Sequence, residues 1–177
     1  MNILLTGGAG FIGSHTAVEL LNAGHDVIIV DNLYNSSAKA VERVEELTGK
    51  RVKFYCADAC DHDAMDRIFS ENKVDAVIHF AAYKAVGESV AKPLEYYRNN
   101  LDATMTLCKV MAAHNVKRII FSSSATVYSG DNEMPLRQLR QIPHPQARRT
   151  QASGISSARS QSNLEAEVGG QAVLGRQ

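Results

Sequence analysis

Short apolar runs alternate along this chain with amphipathic stretches of helical length. Asn2-Ile3-Leu4-Leu5-Thr6 is the first run, of the kind buried on both faces of a parallel sheet. A stretch with Ile12, Thr16 and Leu20 at helical spacing follows, and Gly24 closes it. Val27-Ile28-Ile29-Val30 predicts a second strand, Ala38 to Leu47 a helix ended by Gly49, and Val52-Lys53-Phe54-Tyr55-Cys56 a third strand. Helix His62 to Ser70 leads to a fourth strand, Asp75 to Phe80. A long helix carries Lys92-Pro93-Leu94-Glu95-Tyr96-Tyr97 near its start and runs to about His114. Arg118-Ile119-Ile120-Phe121 is the fifth strand. Strands and helices alternating at this spacing predict an α/β fold, a doubly wound parallel sheet with helices on both faces, whose edge is the fifth strand.

The first junction carries the chemistry. Strand one runs into Gly7-Gly8-Ala9-Gly10-Phe11-Ile12-Gly13, a helix follows, and the second strand ends on Asp31. Gly7 permits the tight turn, and Gly10 lets backbone approach a pyrophosphate seated on the helix N-terminus. Gly13 allows close packing of the helix on the sheet. Asp31 is placed to accept hydrogen bonds from ribose hydroxyls. The pattern predicts a dinucleotide site. A carboxylate at Asp31 would repel a 2′-phosphate, and Asn32 rather than arginine comes next, so NAD is expected over NADP.

The polar turn Asn32-Leu33-Tyr34-Asn35-Ser36-Ser37 reads either as contact with the adenosine half or as a cap for the next helix. Asp58, past the third strand, lies near the expected adenine position and reads equally as a helix cap. Ala81-Ala82 after the fourth strand are small enough for a ligand to approach the backbone. Ser122-Ser123-Ser124-Ala125-Thr126-Val127-Tyr128 stands at the carboxyl end of the fifth strand, where catalytic groups collect in open α/β sheets.

Composition narrows the partners. Apolar residues make up 45% of 177 and the formal net charge is zero, which gives no reason to expect nucleic acid or an anionic membrane. No apolar run reaches membrane-spanning length, and Met1 leads into the first strand without a signal peptide. Cys56, Cys60 and Cys108 lack zinc-ligand spacing and read as reduced thiols of a cytoplasmic protein. The six histidines (15, 25, 62, 79, 114, 144) form no pair at ligand spacing, so no metal site is expected. His15 and His79 read as hydrogen-bonded residues inside their elements.

These segments together resemble the UDP-glucose 4-epimerases (UDP-galactose 4-epimerases), extended short-chain dehydrogenase/reductases, over residues 1 to about 136. Thr6 to His15, Val30-Asp31-Asn32-Leu33 and Phe121 to Tyr128 carry the likeness. His79-Phe80-Ala81-Ala82 adds to it, and Lys84-Ala85-Val86-Gly87-Glu88-Ser89 and Lys92 to Tyr97 narrow it to the epimerases. The resemblance implies an isomerase of galactose metabolism with tightly held NAD. It takes a hydride from C4 of a UDP-hexose and returns it to the other face. By the same resemblance Ser124 orients the reacting hydroxyl, and Lys84 and Asn99 lie near the cofactor. Phe11, Ile12, Asn32, Asn35, Ser36, Asp58, Ala59, Phe80 and Ala81 complete the cofactor shell. Lys84, Ala85, Val86, Ser124, Ala125 and Thr126 face the substrate. The resemblance leaves a homodimer open.

The likeness fails in one chemical respect. Epimerases carry a Tyr-x-x-x-Lys pair, a turn apart, in which lysine and nicotinamide lower the phenol's pKa so that it acts as base. Four residues after tyrosines 34, 55, 83, 96, 97 and 128 stand Ala38, Ala59, Gly87, Asn100, Leu101 and Asn132, and no lysine follows Lys117. The base is absent. Residues 137–177 change character as well: no aromatic residue, much Gln and Ser, and from Gln138 onward five arginines against Glu165 and Glu167. The expectation is an incomplete NAD-binding domain over 1–136, an atypical, poorly ordered tail over 137–177, and no UDP-sugar domain. The tail reads as a disrupted reading frame or as a natural end. The arginines are too sparse for nucleic acid. Two functions follow: an epimerase by descent with turnover impaired, or a catalytically silent NAD-binding remnant.

Overall fold

A computed structural model describes residues 1–123 of the chain, of which Met1–Phe121 form one compact unit. Its strands are β1 (Asn2–Thr6), β2 (Asp26–Asp31), β3 (Lys53–Cys56), β4 (Ala76–His79) and β5 (Ile119–Phe121). All pair in parallel, in the order β3-β2-β1-β4-β5. Its helices are α1 (Phe11–Asn22), α2 (Lys39–Thr48), α3 (His62–Glu71), α4 (Val86–Ala91) and α5 (Pro93–Ala113).

Strand alternation sorts the core into two layers. Leu4, Ile28, Val30 and Val77 face one way, onto Met65, Ile68 and Phe69 of α3 and Leu107, Val110 and Met111 of α5. Ile3, Leu5, Val27, Ile29 and Ile78 face the other, onto Ala17 and Leu21 of α1 and Val41 and Val44 of α2. The sheet is covered on both sides, which is the doubly wound arrangement the alternating pattern predicts. Among the described residues β5 pairs with β4 alone, and its Phe121 is exposed.

Local expectations needed correction in three places. The buried face of α1 is Gly13, Ala17 and Leu21 rather than Ile12, Thr16 and Leu20, and Ile12 is exposed. The face is rotated by one residue because Gly13 has to pack inward. The segment Val86–Ala91 is a separate helix, α4, and Pro93 at the first position of α5 causes the break. Proline constrains the residue before it, and Lys92 sits at φ −132° and ψ 55°, outside the helical region. Asp58 does not cap α3. Asp61 does, its Oδ1 accepting the N–H groups of Asp63 and Ala64 at 3.0 and 3.1 Å. At the start of α2 the turn does supply a cap, as one reading of it expected: Ser37 Oγ accepts the N–H of Lys39 at 3.3 Å, while Ser36 turns to Asp31.

Candidate nucleotide-binding site

Because the strands are parallel, the segments leaving β1, β2, β3 and β4 emerge on one edge of the sheet. The chain winds outward in opposite directions from β1 and β4, so a crevice opens between their carboxyl ends. The glycine turn fills the β1 side. Gly7 adopts φ +69°, and a Cβ there would lie 2.7 Å from the Ala81 backbone nitrogen. Its N–H is bonded to Val30 O at 2.8 Å. A Cβ on Gly13 would stand 2.4 Å from Gly7 O, so Gly13 packs α1 against the glycine turn itself rather than on the sheet.

Gly10 differs. It has ordinary extended angles, φ −71° and ψ 172°, and a Cβ there would meet only Gly7 O, at 3.3 Å. Its backbone conformation does not require glycine, and among the described residues the one close approach a Cβ would make is that to Gly7 O. It is also the N-cap of α1, where no side chain caps the free N–H groups of the first turn. Beside it Phe11 and Ile12 are 81% and 61% exposed, large apolar side chains left uncovered at the helix head.

Asp31 is 8% exposed and already bonded. Its Oδ2 accepts the N–H of Ala9 at 3.0 Å, and Oδ1 accepts the N–H of Leu33 at 2.9 Å and the hydroxyl of Ser36 at 2.7 Å. One carboxylate thus fastens the glycine turn to the loop after β2. That loop bends through Leu33 at φ +58°, a strained value for this residue type. Asn32 Nδ2 donates to Asp58 Oδ2 at 3.0 Å. Burial works against the Asp58 charge, yet the N–H of Cys60 and the Asn32 amide hold its carboxyl below the usual range. Burial and the neighbouring Asp58 push the Cys60 thiol up to about 12, and its Sγ–H points to Asn99 O at 3.5 Å. It is a poor nucleophile.

The β4 side is built around loop 80–85. Asn100 of α5 grips Tyr83 twice, accepting its N–H at 2.8 Å and donating to its carbonyl at 3.2 Å. Phe80 and Ala81 are half-buried, while Lys84, Ala85 and Val86 are exposed at the rim. Tyr83 stacks on Tyr34 with ring centroids 4.8 Å apart and meets the edge of Tyr96 at 5.3 Å. Tyr96 donates its hydroxyl to Glu88 at 2.7 Å; burial and that bond push its phenol up to about 12. Burial, then the Tyr34 and Asp58 groups nearby, raise the Tyr83 phenol too. Among the described residues no group of three or more His, Cys, Asp or Glu side chains is placed to hold a metal ion.

The model of the NAD dependent epimerase/dehydratase family matches residues 3–166. The chain belongs to that family. It is 58% identical over 138 residues to the UDP-glucose 4-epimerase of Bacillus subtilis, covering 78% of this chain and 41% of that protein. It is 61% identical to the UDP-glucose 4-epimerase of Bifidobacterium longum, solved with NAD+ and UDP, at a TM-score of 0.75 over 78% of this chain and 42% of that one. The enzyme from Stenotrophomonas maltophila, solved with NAD and formylated UDP-arabinopyranose, aligns at 39% identity and a TM-score of 0.76, covering 99% of this chain and 50% of the other. The chain therefore spans about two fifths of the length of the curated relatives it matches. The resemblance read from the motifs holds.

In this member of the family the expected residues do not all gather at one point. Gly7, Gly10, Phe11, Ile12, Gly13, Asp31, Asn32, Asn35, Ser36, Asp58, Ala59, Phe80 and Ala81 lie in or beside the segments that leave the first four strands on the crevice edge. Asn99 is reached from Asp58 through Cys60. Lys84, Ala85 and Val86 stand at the rim. Ser124, Ala125 and Thr126, with Tyr128, lie outside the described residues, as does the segment 137–177. Sequence reasoning passed over Ala9, whose contribution is a backbone N–H, and Asn100, Tyr34 and Tyr83. The one signal available for Tyr34 and Tyr83 was their position, three and four residues past the ends of β2 and β4.

Proposed function

We propose that this chain supplies the NAD-binding part of a UDP-glucose 4-epimerase. Gly10 carries the reading: its backbone angles are ordinary, and among the described residues a Cβ there would meet only Gly7 O, at 3.3 Å, so its bare face suits a ligand that comes close to the backbone. The pyrophosphate of NAD is such a ligand, and the uncapped N–H groups of α1 would receive its charge. Asp31 Oδ2, with a single hydrogen bond, retains a lone pair for a ribose hydroxyl. Bound NAD would supply a reversible hydride acceptor.

The chain's own residues would bind and orient. Lys84 offers an exposed ammonium to the cofactor and substrate side, and Ser124 would hold the 4-hydroxyl of UDP-glucose or UDP-galactose. The identity with the Bacillus subtilis and Bifidobacterium longum epimerases supports this substrate class. A cytoplasmic site of action agrees with it, and no helix among the described residues is long and apolar enough to cross a membrane. Leu94, Tyr97, Leu101 and Met105 form an exposed apolar stripe on α5, suited to a second copy of the chain.

A second reading is favoured by one observation. The 177 residues contain no Tyr-x-x-x-Lys, so this polypeptide by itself would bind NAD without turning over sugar. Titration with NADH, followed by its fluorescence, tests the part common to both readings. Saturable binding by the wild-type chain, lost in Gly10→Val, is the expected result. Absence of binding, or equal binding by both chains, would defeat it.

A further inference from the structure

We infer that Tyr34 and Tyr83 form an aromatic clasp across the nucleotide crevice, which parts for a dinucleotide to leave and so sets its rate of release. The inference rests on the dinucleotide reading above. Tyr34 belongs to the loop after β2 and Tyr83 to the loop after β4, and β1 with its glycine turn lies between those strands in the sheet. Their stack, with centroids 4.8 Å apart and planes 30° apart, therefore joins the two banks of the crevice.

The two halves are anchored unequally. Tyr83 is fixed by the double grip of Asn100 on its backbone and by the edge of the buried Tyr96. Tyr34 is 57% exposed, and its backbone N–H is held by Asn32 Oδ1 at 3.1 Å. Its loop takes its bend from Leu33, whose N–H bonds Asp31, the carboxylate assigned to the ribose. The less anchored half of the clasp is thus tied to a ligand-binding group. Among the described residues neither ring belongs to the two apolar layers; Tyr83 packs on the buried Tyr96, whereas Tyr34 is exposed.

The test is stopped-flow displacement. The full chain is loaded with NADH and mixed with excess NAD, and the fluorescence decay gives the dissociation rate. Losing one aromatic pair should speed release roughly twofold to tenfold in Tyr34→Leu and Tyr83→Leu. Tyr83→Phe, which keeps the ring, should match wild type. If Tyr83→Leu fails to fold, the exposed Tyr34→Leu still decides. Release at the wild-type rate from the folded leucine variants, even with a lower melting temperature, overturns the clasp and leaves the dinucleotide reading standing. A wild-type chain that does not bind NADH overturns the dinucleotide reading, and the clasp falls with it.

Discussion

Thr6 and His79 meet twice: they are register partners across β1 and β4, and Thr6 Oγ1 lies 2.6 Å from His79 Nδ1. The other ring nitrogen lies 3.2 Å from Thr104 Oγ1, whose own proton is committed to Asn100 O at 2.9 Å. Nε2 must therefore donate and Nδ1 accept, which fixes a neutral imidazole in one tautomer. Burial, reinforced by the positive charge of Lys84, lowers its pKa from 6.5 to about 4. The unfolded chain takes up this proton near pH 6.5 and the folded chain near 4, so the unfolded state holds the extra proton between them. Stability should fall by about 3 kcal/mol as pH drops through that window, then level off. Urea titrations of wild type and His79→Gln across it check this; equal pH slopes would contradict it.

The glycines of the turn should separate by experiment. Gly13→Ala drives a methyl into Gly7 O and should cost about 1–3 kcal/mol. Gly10→Ala meets only the 3.3 Å contact and should stay within about 0.5 kcal/mol of wild type. Thermal melting without nucleotide gives both values, and the reverse order would refute this account of the turn.

Asp31 should govern the choice between NAD and NADP. Asp31→Asn keeps the side chain's shape and removes the charge that repels a 2′-phosphate. The preference for NAD should fall by about tenfold, equivalent to ~1.4 kcal/mol. Paired titrations of the two cofactors measure it, and an unchanged ratio would remove Asp31 from the ribose site.

Epimerisation of UDP-galactose by the 177-residue chain should be negligible. A positioned general base contributes about 10²–10⁴ in rate, and no Tyr-x-x-x-Lys is present to supply it. Fusing residues 1–136 to the remaining part of the Bacillus subtilis enzyme should restore turnover, and Ser124→Ala should then reduce it sharply. A coupled assay decides; robust turnover by the unfused chain would sink the proposal.

The three thiols should react in a set order. Cys56 and Cys108 are exposed, whereas the Cys60 thiol, pushed up to about 12, is almost wholly protonated at pH 8. Iodoacetamide should label two sites before the third, as intact mass will report. Early labelling of Cys60 would contradict its placement between Asp58 and Asn99.

The sheet was legible because β-branched runs and glycine stops act locally, and the strands fall within a residue or two of their expected ends. Pro93 was visible too, but the separate helix before it was not, since Val86–Ala91 has no buried residue and hence no apolar stripe to read. The α1 face was misjudged because Ile12 looks like core, while the true inward residue is a glycine. Tyr83 and Tyr34 stand 49 residues apart in the sequence and meet only after β1, β2 and β4 have assembled. No spacing rule brings such a pair together.

The three hydrogen bonds on Asp31 reach beyond cofactor choice. With Ala9, Leu33 and Ser36 all fastened to it, the carboxylate has one orientation before any nucleotide arrives. Its rotameric freedom is given up when the protein folds, so association need not supply that entropy again. An arriving nucleotide would meet a receptor group that is already aimed. Loosening Ser36 alone should therefore weaken binding at Asp31, although the bond lost lies wholly within the protein.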